Sequence, residues 1–312
     1  MKTVKLAIPL LVALAYGPSQ ALAAPILGSD LASFAVLGAS TVTNIPTSTI
    51  VGNVGVYAGT SITGFSSSPN SAVADTQVTT GMVHTTTALA QSAQGQLTTA
   101  IGNLGSLGAG NTLINPDLAG LVLSPGIYTV PAGTTNLSGA VTLDGQGNAD
   151  AFWLFQMPST LITSSGSVVN LINIGAGAGV FWDVGSSATL GSATSFEGNI
   201  LASASITLGT GATIGCGRAL ASTGAVTMDT NTINALDCAD TGAVNSNGLS
   251  GSNLDFVAGT RWVVVAAGEN AGTRVSVPGT VLSVPEPGTI ALFGFGLMGL
   301  ALSQRRNLRL PT

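Results

Sequence analysis

A repeat of about 18 to 20 residues runs through the second half of this chain. A threonine followed by an apolar residue recurs at Thr189, Thr207 and Thr227, in the segments TLGSATSFEG, TLGTGATIG and TMDTNTIN. An earlier VTLDG, which begins at Val141, fits the same pattern. Periods of this length are typical of solenoids, in which each repeat forms one coil and buries its apolar side chains against the next.

Side chains around each threonine alternate between apolar and small polar types. In SITLG, Ile206 and Leu208 alternate with Ser205 and Thr207. Successive side chains of a strand point to opposite sides, so we expect the first pair to face a core and the second to face solvent. The chain's 42 glycines suit the sharp corners of such coils, because glycine tolerates positive φ. The repeat therefore predicts a chain dominated by β-structure and built around a β-solenoid.

The segment 71–102 has a different pattern. It is rich in alanine and glutamine and contains no proline. Its apolar residues follow mostly helical spacings: Val78, Met82, Leu89, Leu97 and Ile101. This predicts one long helix or two. His84, the only histidine, would then lie on a helix surface without a partner.

The N-terminus has the composition of a secretory signal peptide. Lys2 and Lys5 precede an apolar run, and Ala21-Leu22-Ala23 supplies the small-x-small pattern of a cleavage site. We therefore expect residues 1–23 to be removed on export. A first membrane helix is the weaker interpretation, because the apolar run is short and Pro18 follows it.

The C-terminus has three parts in a characteristic order. Over residues 285–312 the triplet Pro285-Glu286-Pro287 is followed by an apolar stretch and then by the arginines Arg305, Arg306 and Arg309. This order resembles the PEP-CTERM sorting signal of Gram-negative bacteria. The resemblance implies transient membrane anchoring, removal of the tail by an exosortase-type enzyme, and delivery to the cell surface or extracellular matrix. A plain C-terminal membrane anchor with a positive-inside arginine cluster is the alternative.

Electrostatics between the two ends exclude some partners. Between Ala24 and Pro287 three arginines remain, Arg218, Arg261 and Arg274, against all 13 acidic residues. Proteins that bind phosphate backbones or anionic lipids collect cationic side chains. Nucleic acid and acidic polysaccharide are therefore poor candidate partners.

Cys216 and Cys238 are the only cysteines. In an exported protein, one disulfide is the natural interpretation, and the two residues lie about one coil apart. Two buried free thiols are the alternative. A closed zinc site is not expected, because it needs more ligands than two cysteines supply.

Several stretches together carry a resemblance to a known family. FAVLGASTVTN, VGNVGVYAGTSITGF, LSPGIYTV, LDGQGNADAFWLFQM and the run from GAGVFWDV to MDTNTI follow, in order, the pattern of the DUF3494 ice-binding family. FEGNILA, with GRALAS one coil later, is the most specific element. The match covers about residues 27–240 within a domain of residues 24–240. It implies a right-handed β-solenoid of roughly triangular section, with a long helix packed alongside.

This resemblance also implies a function and a site. Members of the family bind ice through one flat solenoid face with motifs of the form Thr-Ala/Gly-x-Thr/Asn, and the segment from Thr210 to Thr213 fits that form. The equivalent positions of the neighbouring coils carry degenerate versions, Ser192-Ala193-Thr194-Ser195 in the previous coil and Thr230-Asn231-Thr232 in the next. The candidate ice-binding residues are Thr189, Ser192, Ser195, Thr207, Thr210, Thr213, Thr227, Thr230 and Thr232. Ice or ordered water is the expected partner, and no cofactor or metal is expected.

Two other classes of function compete with ice binding. A matrix or adhesion protein could bind neutral polysaccharide by stacking sugars on Trp153, Trp182 and Trp262, although AFWLFQ and VFWDV are more typical of core strands. An enzyme needs clustered catalytic groups, and the pattern shows neither clustered carboxylates nor a Gly-x-Ser-x-Gly elbow. Residues 241–284 are expected to contain a linker and, after it, a capping strand at RWVVVAAG that pairs with the solenoid end.

Overall fold

The computed structural model describes residues 24–236, Cys238, 249–251, 254–256 and 263–264. The predicted signal peptide, the sorting segment and Trp262 lie outside the described residues. Within the described part, no helix combines the length and apolar character needed to cross a membrane.

The described chain forms a β-solenoid, as the repeat predicted, and it has three faces, as the family resemblance implied. Successive strands visit the faces in turn, so neighbours within a face come from successive coils and pair in parallel. The exception is β7 (Ser71–Val73), which pairs antiparallel with β9 (Val83–Thr85). Strands are numbered in chain order. The threonine face consists of β3 (Thr41–Ile45), β6 (Ser61–Thr63), β15 (Leu161–Ile162), β18 (Ala188–Leu190), β20 (Ile206–Leu208) and β22 (Val226–Asp229).

The other two faces share two long strands that bend across the edge between them, β19 (Ser195–Ala202) and β21 (Thr213–Ala221). The third face contains their first residues with β4 (Thr49–Val51), β8 (Val78–Thr79), β11 (Val122–Leu123), β13 (Ala140–Asp144), β16 (Val168–Ile172) and β23 (Thr232–Asn234). The helix face contains the rest with β2 (Phe34–Gly38), β5 (Asn53–Val56), β7 (Ser71–Val73), β9 (Val83–Thr85), β10 (Asn111–Thr112), β12 (Gly126–Thr129), β14 (Phe152–Met157) and β17 (Gly179–Val184).

Sequence order and stacking order differ in this solenoid. The N-terminal strands β2, β3 and β4 pair with β21, β22 and β23, which belong to the last coils of the sequence repeat. After β9, the long helix α2 (Ala88–Gly105) connects this end to β10, which lies at the opposite edge of the helix face. A second helix, α1 (Ser29–Ala32), is a single turn beside α2.

The predicted helix over 71–102 was wrong in its first half. Helix α2 begins at Ala88, where Thr87 is the N-cap and its side chain accepts a hydrogen bond from the Ala90 N–H. Residues 71–87 instead form three short strands, with Thr80 and Thr86 at positive φ. In this stretch, which is rich in β-branched threonine, strand pairing within the solenoid outweighed the helical spacing of the apolar residues.

His84 consequently lies in β9, not on a helix surface. The residue is 7% exposed, its ring packs edge-on against Phe34, and its Nδ1 is 3.2 Å from the Thr87 hydroxyl. Burial lowers the pKa of His84. The prediction of a histidine without a partner was therefore wrong, and this side chain serves packing.

An aromatic stack fills the centre of the coils. Rings of Tyr128, Phe155, Trp182 and Phe196 follow one another along the axis, with centroids 5.7, 4.1 and 4.9 Å apart. On the outside of the solenoid, α2 packs against β2, β9 and β17. Its buried side consists of Ala90, Ala93, Leu97, Ala100 and Leu104. The helix face is thereby covered, whereas the other two faces carry no packed helix among the described residues.

Two features join the chain ends to the solenoid. Cys216 and Cys238 form a disulfide with Cα atoms 5.2 Å apart, which confirms that prediction. Arg218 is fully buried, and its guanidinium donates to Ala32 O at 2.7 Å, to Asn199 Oδ1 at 2.8 Å and to Ala235 O at 3.0 Å. One side chain therefore links the N-terminal segment, the middle of the solenoid and the C-terminal exit.

The predicted capping strand forms a different pairing. β25 (Val263–Val264) lies antiparallel to β24 (Leu254–Phe256), which pairs with β1 (Ala24–Pro25). These described residues make a small separate sheet, so the expectation that RWVVVAAG pairs with a solenoid strand was wrong for them.

Candidate functional site

Five threonines form one column across the threonine face. The strand register places Thr189 beside Thr207, Thr207 beside Thr227, Thr227 beside Thr43, and Thr43 beside Thr63. Neighbouring strands of a sheet lie about 4.8 Å apart, so the column spans five coils at a regular spacing. We call this set the threonine column.

Buried neighbours hold each threonine in place. Ile206 and Leu208 are buried on either side of the exposed Thr207, as the alternation predicted, and Val226 and Met228 are buried beside Thr227. Strands that alternate in this way fix the direction of the outward side chain. Threonine is also β-branched, which restricts χ1. The hydroxyl and methyl groups are therefore ordered before anything binds.

A second column lies two residues earlier along the chain, within β3 and β6 and just before β18, β20 and β22. Its members are small and uncharged: Ser187, Ser205, Ala225, Thr41 and Ser61. Two of them stabilise the corner backbone, because Ser187 Oγ accepts from the Ser205 N–H at 3.3 Å and Ser205 Oγ accepts from the Ala225 N–H at 3.2 Å. Alternate residues of a strand recur about every 6.8 Å, so the two columns form a two-dimensional grid.

Hydroxyl groups of the threonine column are available to water. Within the part of the chain that the structure describes, none of the five hydroxyls hydrogen-bonds to another protein group. The two columns contain only threonine, serine and alanine, so no charge interrupts the grid itself. This arrangement can order water by hydrogen bonds while its methyl groups exclude disordered water.

The nine residues predicted from the sequence lie in three places. Thr189, Thr207 and Thr227 belong to the threonine column. Ser195, Thr213 and Thr232 begin strands of the third face. Ser192, Thr210 and Thr230 lie at the corner between those faces. The structure thus distributes the candidates over two faces and their shared corner.

Corner hydrogen bonds show which residues correspond between coils. The N–H groups of Ala193, Gly211 and Thr230, all at positive φ, donate to the carbonyls of Thr210, Asp229 and Ile45, respectively. The residues just before this turn therefore form a corner column: Ser192, Thr210, Asp229 and Ile45. Thr230 corresponds to Gly211, and Asp229 corresponds to Thr210.

Hydroxyl residues of the third face also form a column, but a less regular one. Ser195, Thr213, Thr232 and Thr49 are in register, and the column then continues through residues without hydroxyls, Val168 and Ala140. A bulge between Phe196 and Glu197 shifts the register of β19 against β21. Since bulges bend a strand, the flat part of this face is narrow there.

Sequence reasoning missed Thr43 and Thr63. They belong to the N-terminal segment, outside the repeat that revealed the other three threonines, and join them only because β3 stacks on β22. The local signal was present, since TVTN and SIT alternate like SITLG. What the sequence did not reveal was the stacking order of the two segments.

Isolated carboxyl groups lie away from the grid. Burial raises the pKa of Glu197 to about 8, although a hydrogen bond from the Cys216 N–H opposes this shift. Burial also raises the pKa of Asp183 to about 6, and this side chain lines a cleft of about 390 Å³ beside the end of α2. Among the described residues, no group of three or more potential ligands could hold a metal ion.

Two of the three tryptophans are core residues. Trp153 and Trp182 are 0% exposed, and their ring N–H groups donate to Leu123 O at 3.1 Å and Glu197 O at 3.0 Å. Rings in this position cannot stack on a sugar. The polysaccharide alternative therefore loses two of its three candidate side chains.

Comparisons with known proteins agree with this architecture. The family model described as ice-binding-like matches residues 36–234, which is more than half of the chain. The chain belongs to the ice-binding-like family. The chain is similar to an ice-binding protein of Nostoc sp. (strain HG1), to which it is 45% identical over 201 residues, covering 64% of this chain and 71% of that protein. An ice-binding protein of Flavobacterium frigoris is 31% identical over 216 residues, covering 65% of this chain and 73% of that protein.

Solved structures of ice-binding-like proteins show the same fold. That of the ice-binding protein from the Antarctic ascomycete Antarctomyces psychrotrophicus has a TM-score of 0.59 at 33% identity, covering 68% of this chain and 98% of that one. One from an Antarctic biological consortium has a TM-score of 0.59 at 35% identity, covering 73% and 95%. In addition, the PEP-CTERM protein-sorting motif matches residues 283–306, which indicates an exported protein.

Proposed function

We propose that this exported protein adsorbs to ice through the threonine face and thereby inhibits ice growth or recrystallisation. The observation that carries the proposal is the threonine column, with five ordered, unpaired hydroxyls in register and no charged side chain within the column. Membership of a family whose similar relatives are ice-binding proteins supports it.

Regularity of the grid explains how binding would work. Its two spacings, about 4.8 Å between coils and about 6.8 Å along a strand, are comparable to oxygen repeats in ice. Hydroxyls that are already ordered can anchor water in lattice positions with little additional loss of entropy. The methyl groups between them leave no hydrogen-bonding partner for water that does not fit the lattice.

The threonine face is a better candidate than the third face. Its threonine column spans five coils before it meets Ile162, whereas the hydroxyl column of the third face spans four before it meets Val168 and lies beside the bulge at Glu197. The corner residues are less suitable, because the Thr210 hydroxyl already donates to the Asp229 carboxylate. We therefore assign the primary ice contact to the threonine column.

Delivery and anchoring complete the proposal. The sorting motif supports recognition by an exosortase-type enzyme and transient anchoring in the membrane of a Gram-negative cell before release to the surface or matrix. An adhesion protein that binds neutral polysaccharide is the second candidate. The buried tryptophans argue against it, and so does the fact that the described strands of the threonine face carry no exposed aromatic residue. No catalytic activity is proposed.

The test compares one bulky substitution on each candidate face. Thr207 lies mid-column on the threonine face, and Thr232 is an exposed hydroxyl residue of the third face. We expect Thr207→Tyr to remove most of the thermal hysteresis and recrystallisation inhibition of the exported protein, and Thr232→Tyr to retain most of both. Loss in Thr232→Tyr alone would transfer the site to the third face. An inactive parent protein would contradict the proposal and favour the adhesion role.

A further inference from the structure

One carboxylate lies at the border of the otherwise uncharged threonine face. Asp229 ends β22, two residues after Thr227, and lies in the corner column between Thr210 and Ile45. Its side chain is partly exposed and accepts hydrogen bonds from the hydroxyls of Thr210 and, at 3.4 Å, Thr230. The other members of the corner column are uncharged.

A shorter corner explains this position. From Thr207 the chain needs five residues to reach the start of the third face at Thr213, but from Thr227 it needs only four to reach Thr232, although both pairs are in register. The coil with Asp229 therefore turns one residue sooner. Asp229 takes the place that Thr210 has in the previous coil, immediately before a residue at positive φ.

An ionised carboxylate affects the water beside the threonine column. Its hydration shell is strongly bound, so rearranging or removing that water is costly. The shell is oriented by the charge and does not follow the repeat of the grid.

We infer that Asp229 limits the ice affinity of this protein, and that the corner column becomes a third column of the ice-binding surface when the charge is removed. This inference rests on the proposed function. It predicts a gain of activity from one substitution, Asp229→Asn, which preserves size and an oxygen that can accept from Thr210. The two threonines beside it, Thr210 and Thr227, would then lie next to a neutral side chain.

The test uses the exported protein with two matched variants. Asp30→Asn makes the same change in net charge, but Asp30 lies on α1 beside the long helix, where it accepts from Ser92. Asp229→Glu keeps the charge in the corner. We expect Asp229→Asn to raise thermal hysteresis at equal concentration by at least half of the parent value. Asp30→Asn should match the parent, and Asp229→Glu should not exceed it.

Each outcome separates this inference from the proposed function. If the parent is active, Thr207→Tyr is inactive and folded Asp229→Asn does not exceed the parent, the role of Asp229 is refuted while the site stands. An equal gain in Asp30→Asn would also refute it, because net charge would then be the cause. If Asp229→Asn is destabilised, Asp229→Ser provides a second neutral side chain, and failure of both folded variants to gain activity decides against the inference. An inactive parent refutes the proposed function itself.

Discussion

The threonine face and the third face share one backbone and differ in what they present. Both are built from parallel strands of the same coils, so both repeat at the same spacing along the axis. On the threonine face, one outward position is threonine in five successive coils. On the third face, the equivalent outward column changes from threonine and serine to Val168 and Ala140, and a bulge interrupts it beside Glu197.

The solenoid therefore supplies only the spacing. A threonine ladder needs the coil stack, but a coil stack carries a useful ladder only where each coil places the same side chain at the same point. Threonine is also a good strand former, so isolated outward threonines such as Thr142 are expected on any face. Regularity over several coils, with hydroxyls left unpaired, distinguishes a binding surface from scaffold.

The largest expected effect comes from breaking the column where two chain segments meet. Thr43 and Thr49 both belong to the N-terminal segment, but the first lies in the threonine column and the second on the third face. We expect Thr43→Tyr to remove most of the thermal hysteresis and Thr49→Tyr to leave most of it. Equal activity in both variants would mean that the column ends at Thr227 and that the N-terminal segment does not contact ice.

How far the sequence predicted this surface depends on the segment. The period identified the solenoid, the inward position of Ile206 and the outward position of Thr207, because one coil resembles the next in composition. It did not reveal that Thr43 follows Thr227 in the stack, since that order depends on a connection through α2. The sequence repeat also aligned Thr230 with Thr210, whereas the backbone hydrogen bonds align Asp229 with Thr210. A corner that is shorter by one residue can be recognised only from those hydrogen bonds.

A second prediction separates the scaffold from the face it supports. The disulfide between Cys216 and Cys238 closes a loop with a sequence separation of 22, for which chain entropy gives about 3 kcal/mol of stabilisation. We expect the double variant Cys216→Ala, Cys238→Ala to lose about that much in chemical denaturation. Both residues are away from the threonine column, so the variant should retain its thermal hysteresis while folded. A folded but inactive variant would show that the disulfide sets the geometry of the threonine face.

A third prediction concerns pH and the bulge of the third face. The folded-state pKa of Glu197 is about 8, above its ordinary value of 4.5, so the folded state binds this proton more tightly. Its contribution to stability is therefore complete below about pH 4.5 and is lost as the pH rises through about 8, at up to roughly 1.4 kcal/mol per pH unit. Asp183 adds a similar loss of stability, which runs from the ordinary pKa of its carboxyl group, 3.8, to its folded-state pKa of about 6.

Glu197→Gln tests this assignment, because the amide cannot ionise. We expect denaturation between about pH 6 and about pH 9 to show a falling stability in the parent protein and a flatter profile in the variant. Thermal hysteresis should remain constant over the same range while the protein is folded, since no charge lies within the threonine column. Parallel stability profiles in parent and variant would remove Glu197 as the cause.

The smallest expected effect lies on neither open face. Gly95 and Gly102 are exposed on α2, and a Cβ added at either position would have no atom within 4 Å. Alanine loses less conformational freedom in a helix than glycine, so Gly95→Ala and Gly102→Ala should each stabilise the protein by about 0.5 to 1 kcal/mol. Gly55→Ala is the contrasting control, because its Cβ would lie 2.4 Å from the Phe34 ring and should destabilise. Thermal denaturation measures all three.

Because α2 covers the helix face, away from the threonine column, the two stabilised variants should match the parent in thermal hysteresis. A change in their ice activity would mean that the helix itself contributes to the surface that meets ice.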